Sequence, residues 1–199
     1  ADIITVYPLS TTRMVEGKQI DVVIKIHEHL RKLGYKTKLI VPNAHANGER
    51  EKMLVGERGS VDVIFTSTMG EEYEMGVSQK VVSDLFRLAN VFIFPSISEN
   101  CSLVLLEAML SGNLLVLNKD CSGLQEFGGS NALYFKMGNL DMGIRNEEEA
   151  LKREEYYRDM ALIIRSEFEL NKPLQAKRKI LKEFNLDRIF DKIEQLYYE

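Results

Sequence analysis

Two apolar runs lie unusually close together in this 199-residue chain, and their spacing restricts what it can fold into. Val91-Phe-Ile-Phe94 has the length and composition of a buried strand. Leu103 to Leu110 is rich in Leu, with Ala and Met and no Gly or Pro until Gly112, and reads as a buried helix. Between them, Pro95, Ser96, Ser98 and Asn100 supply turn and N-cap chemistry. The segment is therefore strand, short loop, helix N-terminus. Backbone N–H groups at such a terminus lack intrahelical partners and the dipole is positive, which makes an anion site. Two carboxylates, Glu99 and Glu107, stand eight residues apart here. Glu107 falls inside the apolar run, where a charge needs a partner. Eight helical residues rise about 12 Å. An elongated ligand with an anionic middle and hydroxyl-rich ends suits that spacing, and a nucleotide sugar is such a ligand.

The same alternation runs through most of the chain. Strands are expected at Ile3–Pro8, Lys38–Val41, Val61–Thr66, Val91–Phe94, Leu114–Leu117 and Ala132–Phe135. Helices are expected at Lys18–Leu33, Glu49–Glu57, Val77–Ala89, the run after Ser102 and a short piece near Gln125. Ile20, Val23, Ile24, Ile26 and Leu30 give the first helix its apolar face, and Gly34 ends it. Short apolar strands alternating with helices predict an α/β fold with a parallel sheet covered on both faces. Ligands of such sheets bind at the carboxyl ends of the strands, near a topological switch point. Beyond Lys136 the pattern is helical, with segments Glu147–Arg165, Pro173–Phe184 and Leu186–Tyr198. Glu147-Glu-Glu149 reads as a solvated helix start favoured by the dipole. The stripe Leu186, Ile189, Phe190, Ile193 and Leu196 needs a covering surface, so the last helix is expected at the edge of the cleft. Met109 and Leu110 read as core.

Composition narrows the function classes. The chain is 45% hydrophobic and 28% charged, hence globular and large enough for one full core. A net charge of −4 argues against a general nucleic-acid binder. Two cysteines, Cys101 and Cys121, form neither a disulfide framework nor a zinc set, and point to a reducing, cytoplasmic setting. No apolar stretch reaches the roughly 18 residues of a membrane span. His27 and His29 are two apart on a helix and do not face each other, His45 is remote in sequence, and no Asp-x-Asp triplet occurs. No metal site is expected. Cys101 sits at a helix N-terminus without a neighbouring His, so it reads as a small packing residue and backbone donor rather than a nucleophile. The chain opens on its first core strand, which suggests a domain excised from a longer enzyme.

Three motifs carry a family resemblance. The first is Pro95-Ser96, Glu99, then Glu107-Ala108-Met109 and Gly112. The second is Arg13-Met-Val-Glu-Gly-Lys18 followed by Ile20-Asp21. The third is Gly123-Leu124-Gln125-Glu126. In this order, over roughly Ile3 to Phe135, they resemble the C-terminal, donor-binding domain of retaining GT-B glycosyltransferases, close to glycosyltransferase family 4. The sequence departs from the family at several positions. Glu99-Asn-Cys-Ser-Leu103 stands where Glu-Gly-Phe-Gly-Leu is usual. Thr12 and Gln19 replace the glycines that flank the Arg and the Lys. Pro42-Asn-Ala-His-Ala-Asn-Gly48 replaces a Gly-Asp/Asn-Gly turn.

The resemblance implies a Rossmann-like, doubly wound parallel sheet of about six strands over about 3–135, with helices over about 146–199. The whole would be one nucleotide-sugar-binding domain, the N-terminal acceptor domain being absent. It implies that Arg13 and Lys18 hold the diphosphate, Glu107 the ribose and Glu99 the donor sugar. Asn100, Cys101, Ser102 and Leu103 would offer backbone donors, and Ser122 and Gly123 would add to the sugar end. The donor is a nucleoside diphosphate sugar acting as substrate, with no cofactor and no metal. The partners implied are that acceptor domain and a glycan or lipid-linked acceptor, without nucleic acid. A peripheral contact with the inner face of a membrane would come through the absent domain. Simpler readings stand beside these: Glu107 in a structural ion pair with a Lys, Glu99 as a capping carboxylate, Arg13 and Lys18 as surface cations. Two other functions fit the same fold: a non-catalytic nucleotide-sugar-binding module and a sugar-nucleotide epimerase.

Overall fold

The computed structural model of the chain describes residues 2–6, 18–42, 62–66, 69–73, 76–138, 140 and 146–170. Arg13, His45 and the expected helices Glu49–Glu57, Pro173–Phe184 and Leu186–Tyr198 lie outside the described residues. Six strands, β1 (Asp2–Val6), β2 (Lys36–Val41), β3 (Val63–Phe65), β4 (Val91–Phe94), β5 (Leu114–Asn118) and β6 (Ala132–Phe135), form one sheet. Every pairing is parallel and the order is β3-β2-β1-β4-β5-β6. The chain builds outward from β1 in one direction, then returns to β1's other side with β4. The switch point therefore lies between β1 and β4, where Thr5 is in register with Val91. All residues of β4 and β5 are buried, as expected for central strands covered on both faces.

The helices are α1 (Ile20–Lys32), α2 (Gln79–Leu88), α3 (Leu103–Ser111), α4 (Ser122–Gly128) and α5 (Glu147–Glu169). Their ends follow local chemistry. Ser78 caps α2 by accepting from Val81 N at 3.4 Å, and Asn146 caps α5 by accepting from Glu149 N at 2.9 Å. Glu147, Glu148 and Glu149 fill the first turn of α5, where the dipole favours them, and Glu148 pairs with Lys152 at 2.6 Å. Gly112 ends α3 at φ 79°, a left-handed position that glycine occupies without strain. Tyr157, Met160, Ala161 and Ile164 of α5 are buried, and Glu154 reaches across to Lys25 (2.9 Å) and to His29 Nε2 (3.0 Å) on α1. Among the described residues no helix is long and apolar enough to cross a membrane.

α3 corrects one expectation. It is not buried all round. Leu105, Ala108 and Met109 form its covered stripe, whereas Leu103 is 68% and Leu110 45% exposed. The helix lies on a face of the sheet and offers only one side to it, so an apolar run marks a core on that side alone. Met109 is core, as expected; Leu110 is not.

His27 is fully buried on α1, and neither ring nitrogen has a hydrogen-bond partner. Burial, aided by the nearby Arg31 charge and opposed by Asp62, lowers its pKa from 6.5 to about 4. The imidazole is neutral when folded, but the unfolded chain protonates it below pH 6.5. Its contribution to stability is thus complete above 6.5 and is lost as the pH falls toward 4. At about 1.4 kcal/mol per pKa unit, acidification over that window should remove up to about 3 kcal/mol. Denaturant unfolding at pH 7 and pH 4.5 should show this fall, and His27→Leu should flatten it; an equal fall in the variant would contradict the assignment.

Candidate functional site

The polar residues converge at the carboxyl ends of β1 and β4. Lys18 stands just before α1 and Glu99 lies in the loop after β4, 81 residues later. They form an ion pair, Lys18 Nζ to Glu99 Oε1, with side chains only 18% and 16% exposed. Ser96 Oγ donates to the same Glu99 oxygen at 2.9 Å and accepts from Lys18 Nζ at 3.4 Å. Lys18 Nζ also lies 5.5 Å from the ring centroid of Phe94, a favourable cation–π position. So Lys18 is not a free surface cation and Glu99 is more than a cap: a single cluster joins them.

The loop carrying Glu99 is fixed from three sides. Gln19 Nε2 donates to Pro95 O at 2.6 Å. Asn118, at the end of β5, donates to Pro95 O (3.4 Å) and Ser96 O (3.2 Å), and its Oδ1 accepts from Asp120 N and Met137 N, both at 3.0 Å. The first turn of α4 closes the third side: a Cβ on Gly123 would lie 2.1 Å from Glu99 O. Only glycine admits that approach.

The loop then enters α3. Ser102 is buried and caps the helix, its Oγ accepting from Leu105 N at 3.4 Å. Asn100, Cys101 and Leu103 are exposed. The N–H groups of the first turn ahead of Leu105 have no intrahelical acceptor, so this end presents donors a few residues on from Glu99, the partner of Lys18. Glu107 follows one turn on. Its partner is Gln79, whose Nε2 donates to Oε1 at 2.7 Å, so the alternative of a structural ion pair with Lys is not what forms. Burial raises the Glu107 carboxyl above the ordinary carboxylate range, while the Gln79 hydrogen bond works the other way. The separation inferred from eight helical residues also needs correction. The helix begins at Leu103, so only the four steps to Glu107 are helical, a rise of about 6 Å.

Lys18, Glu99, the 100–103 loop and Glu107 thus share one edge of the sheet. Phe94 and Ser96 complete it, and Gln19, Asn118 and Gln79 support it; of these, Asn118 and Gln79 were not singled out from the sequence. A polar Asn closing the apolar run Leu114–Asn118 is the one signal that could have flagged its role. Among the described residues no three His, Cys, Asp or Glu side chains are grouped to hold a metal ion. Chemically, the candidate site combines a cation, N–H donors and two carboxylate acceptors.

A parallel sheet in the order 3-2-1-4-5-6 is the doubly wound α/β arrangement, and it is similar to the C-terminal domains of GT-B glycosyltransferases, solved structures of which superpose on it. The pneumococcal O-GlcNAc transferase GtfA, solved with UDP and GlcNAc, aligns with a TM-score of 0.67 at 16% identity, over 99% of this chain and 36% of its own. Sucrose-phosphate synthase from Thermosynechococcus elongatus gives 0.63 at 18% identity, over 99% and 45%. The C-terminal domain of the group 1 glycosyl transferase LpcC from Francisella tularensis gives 0.60 at 14%, over 93% and 87%. The chain therefore spans less than half the length of the first two. None of the curated proteins compared matches the sequence. The sequence profile of the group 1 glycosyl transferases matches residues 7–165, and the chain belongs to that family.

Proposed function

We propose that the chain is the donor-binding domain of a retaining glycosyltransferase that moves a sugar from a nucleoside diphosphate sugar to a hydroxyl acceptor. The observation that carries the reading is the junction of Lys18, Ser96 and Glu99 beside the N-terminus of α3. In this reading the diphosphate lies against the α3 first turn, Lys18 and Arg13. Its β-phosphate gains negative charge as the sugar departs, and those donors stabilise that charge as it forms. Lys18 exchanges its Glu99 partner for phosphate, which frees the Glu99 carboxylate to accept from sugar hydroxyls. Glu107 accepts from the ribose, with one oxygen held by Gln79. Cationic side chains take the place of a bridging metal ion, so binding is metal-independent. The protein's contribution is placement and charge stabilisation rather than covalent chemistry.

A glycan or lipid-linked acceptor and the groups that activate it would belong to an N-terminal domain of the same enzyme. The chain by itself is then a donor binder with little turnover, working in the cytoplasm or at the inner face of a membrane. The UDP held by the pneumococcal transferase makes uridine nucleotides the first probes, beside GDP, ADP and their sugar derivatives.

The two carboxylates separate the two ends of the ligand. Glu107→Ala should weaken plain nucleoside diphosphate by about 1.5–3 kcal/mol, since ribose hydroxyls lose a charged acceptor. Glu99→Ala should leave the diphosphate as tight or tighter, because Lys18 loses its competing partner, and should reduce the affinity contributed by the sugar. Calorimetric titration with each diphosphate and its sugar derivative reads both. The reverse pattern would overturn the assignment of ends.

A further inference from the structure

We propose that Gln19 is a positioning residue that keeps the Glu99 loop in register with Lys18 while the donor binds, an inference that rests on the reading above. Gln19 occupies φ 51°, ψ 50°, a left-handed conformation strained for any residue with a side chain and suited to glycine. It is only 6% exposed, and its Oε1 is buried without a hydrogen-bond partner. Backbone strain and an unmatched acceptor both work against folding. What the side chain gains is the 2.6 Å hydrogen bond from Nε2 to Pro95 O.

That bond has a particular place. Lys18 and Gln19 are consecutive, and each grips one end of the same loop: Gln19 at Pro95, Lys18 at Glu99. Asn118 holds the Pro95 and Ser96 carbonyls from the β5 side. When phosphate draws Lys18 away from Glu99, the tie at the far end of the loop opens. The Gln19–Pro95 bond persists and holds the loop that carries Glu99 against the entry to α1. Local strain at Gln19 thus secures the sugar end of the site, in keeping with the tendency of strained residues to sit where function needs them.

The test uses calorimetry with UDP, GDP and ADP and with UDP-glucose, UDP-N-acetylglucosamine, GDP-mannose and ADP-glucose, alongside thermal unfolding. Gln19→Gly removes the tie and relieves the backbone. Gln19→Glu keeps the size and removes the N–H donor. In both variants the ratio of sugar-nucleotide to diphosphate affinity should fall about tenfold, the worth of one such bond. In Gln19→Gly the diphosphate should bind within about twofold of the parent, and the unfolding midpoint should hold or rise. A purely structural residue would behave otherwise: the midpoint and both affinities would fall together. That outcome, or an unchanged ratio in either variant, overturns the proposal. If Gln19→Gly does not fold, the ratio in Gln19→Glu decides. If the unaltered chain binds none of these nucleotides, the donor-binding reading fails first and this inference with it, a result distinct from binding that the variants leave unchanged.

Discussion

Gly123→Ala should cost the chain its sugar-nucleotide binding. The added Cβ would lie 2.1 Å from Glu99 O and 3.0 Å from Asn100 O. Both are backbone atoms and cannot rotate aside, so either α4 or the Glu99 loop must shift. The loop cannot shift alone. It is also held by the Gln19 and Asn118 hydrogen bonds at Pro95 and Ser96 and by the ion pair to Lys18. A displacement near 1 Å at a reacting centre lowers rates by about a hundredfold, and a comparable loss of sugar-nucleotide affinity is expected here. Overpacking of this kind should also lower stability by about 1–3 kcal/mol. Ser130→Ala, exposed in the turn after α4, is the control and should do neither. Titration and denaturant unfolding measure the two effects. A Gly123→Ala protein with parental affinity would show that the close approach has no part in the site.

The largest loss of stability should come from Asn118→Ala. Asn118 is fully buried, and its two amide atoms make four hydrogen bonds, to Pro95 O, Ser96 O, Asp120 N and Met137 N. It joins the β4 loop, the turn after β5 and the end of β6 in one knot. Alanine leaves at least two of those backbone groups buried without a partner, at about 1–3 kcal/mol each, together with a cavity. A destabilisation of about 3–5 kcal/mol is expected from the shift of the denaturation midpoint. Asn118→Asp keeps the two bonds accepted from N–H groups but turns a carboxylate oxygen toward the Pro95 and Ser96 carbonyls, so it should destabilise as well. A change under about 1 kcal/mol for Asn118→Ala would mean that water replaces the side chain fully, which its burial argues against.

Much of this fold was legible because its signals are periodic and local. Val91–Phe94 and Ala132–Phe135 form strands with the bounds expected, and the other described strands and helices differ by one to four residues at their ends. Apolar strands that are buried on both faces carry no alternation, and that absence itself marks a parallel sheet. Leu103 and Leu110 were less legible. An apolar run does not tell which side of a helix the sheet covers, and these two leucines face away from it. The site was half legible. Lys18, Glu99 and Glu107 were singled out as candidates by the motifs and the resemblance that they carry. Their mutual geometry was not legible, because the pairing of Lys18 with Glu99 depends on a switch point that places the ends of β1 and β4 side by side. The supporting amides Gln79 and Asn118 belong to no motif, Gln19 stands where the resemblance expects glycine, and the partners of all three are backbone carbonyls or a carboxylate far off in sequence.

The most direct test of the central claim is a crystal structure of the chain with a nucleoside diphosphate sugar bound, prepared in the presence of a chelator. The expected result places the diphosphate between Lys18 and the first turn of α3, the ribose on Glu107 and the sugar on Glu99, with the Lys18–Glu99 pair opened and the Gln19–Pro95 bond intact. Phosphates bound away from the α3 N-terminus, or binding that appears only when a divalent cation is restored, would contradict it.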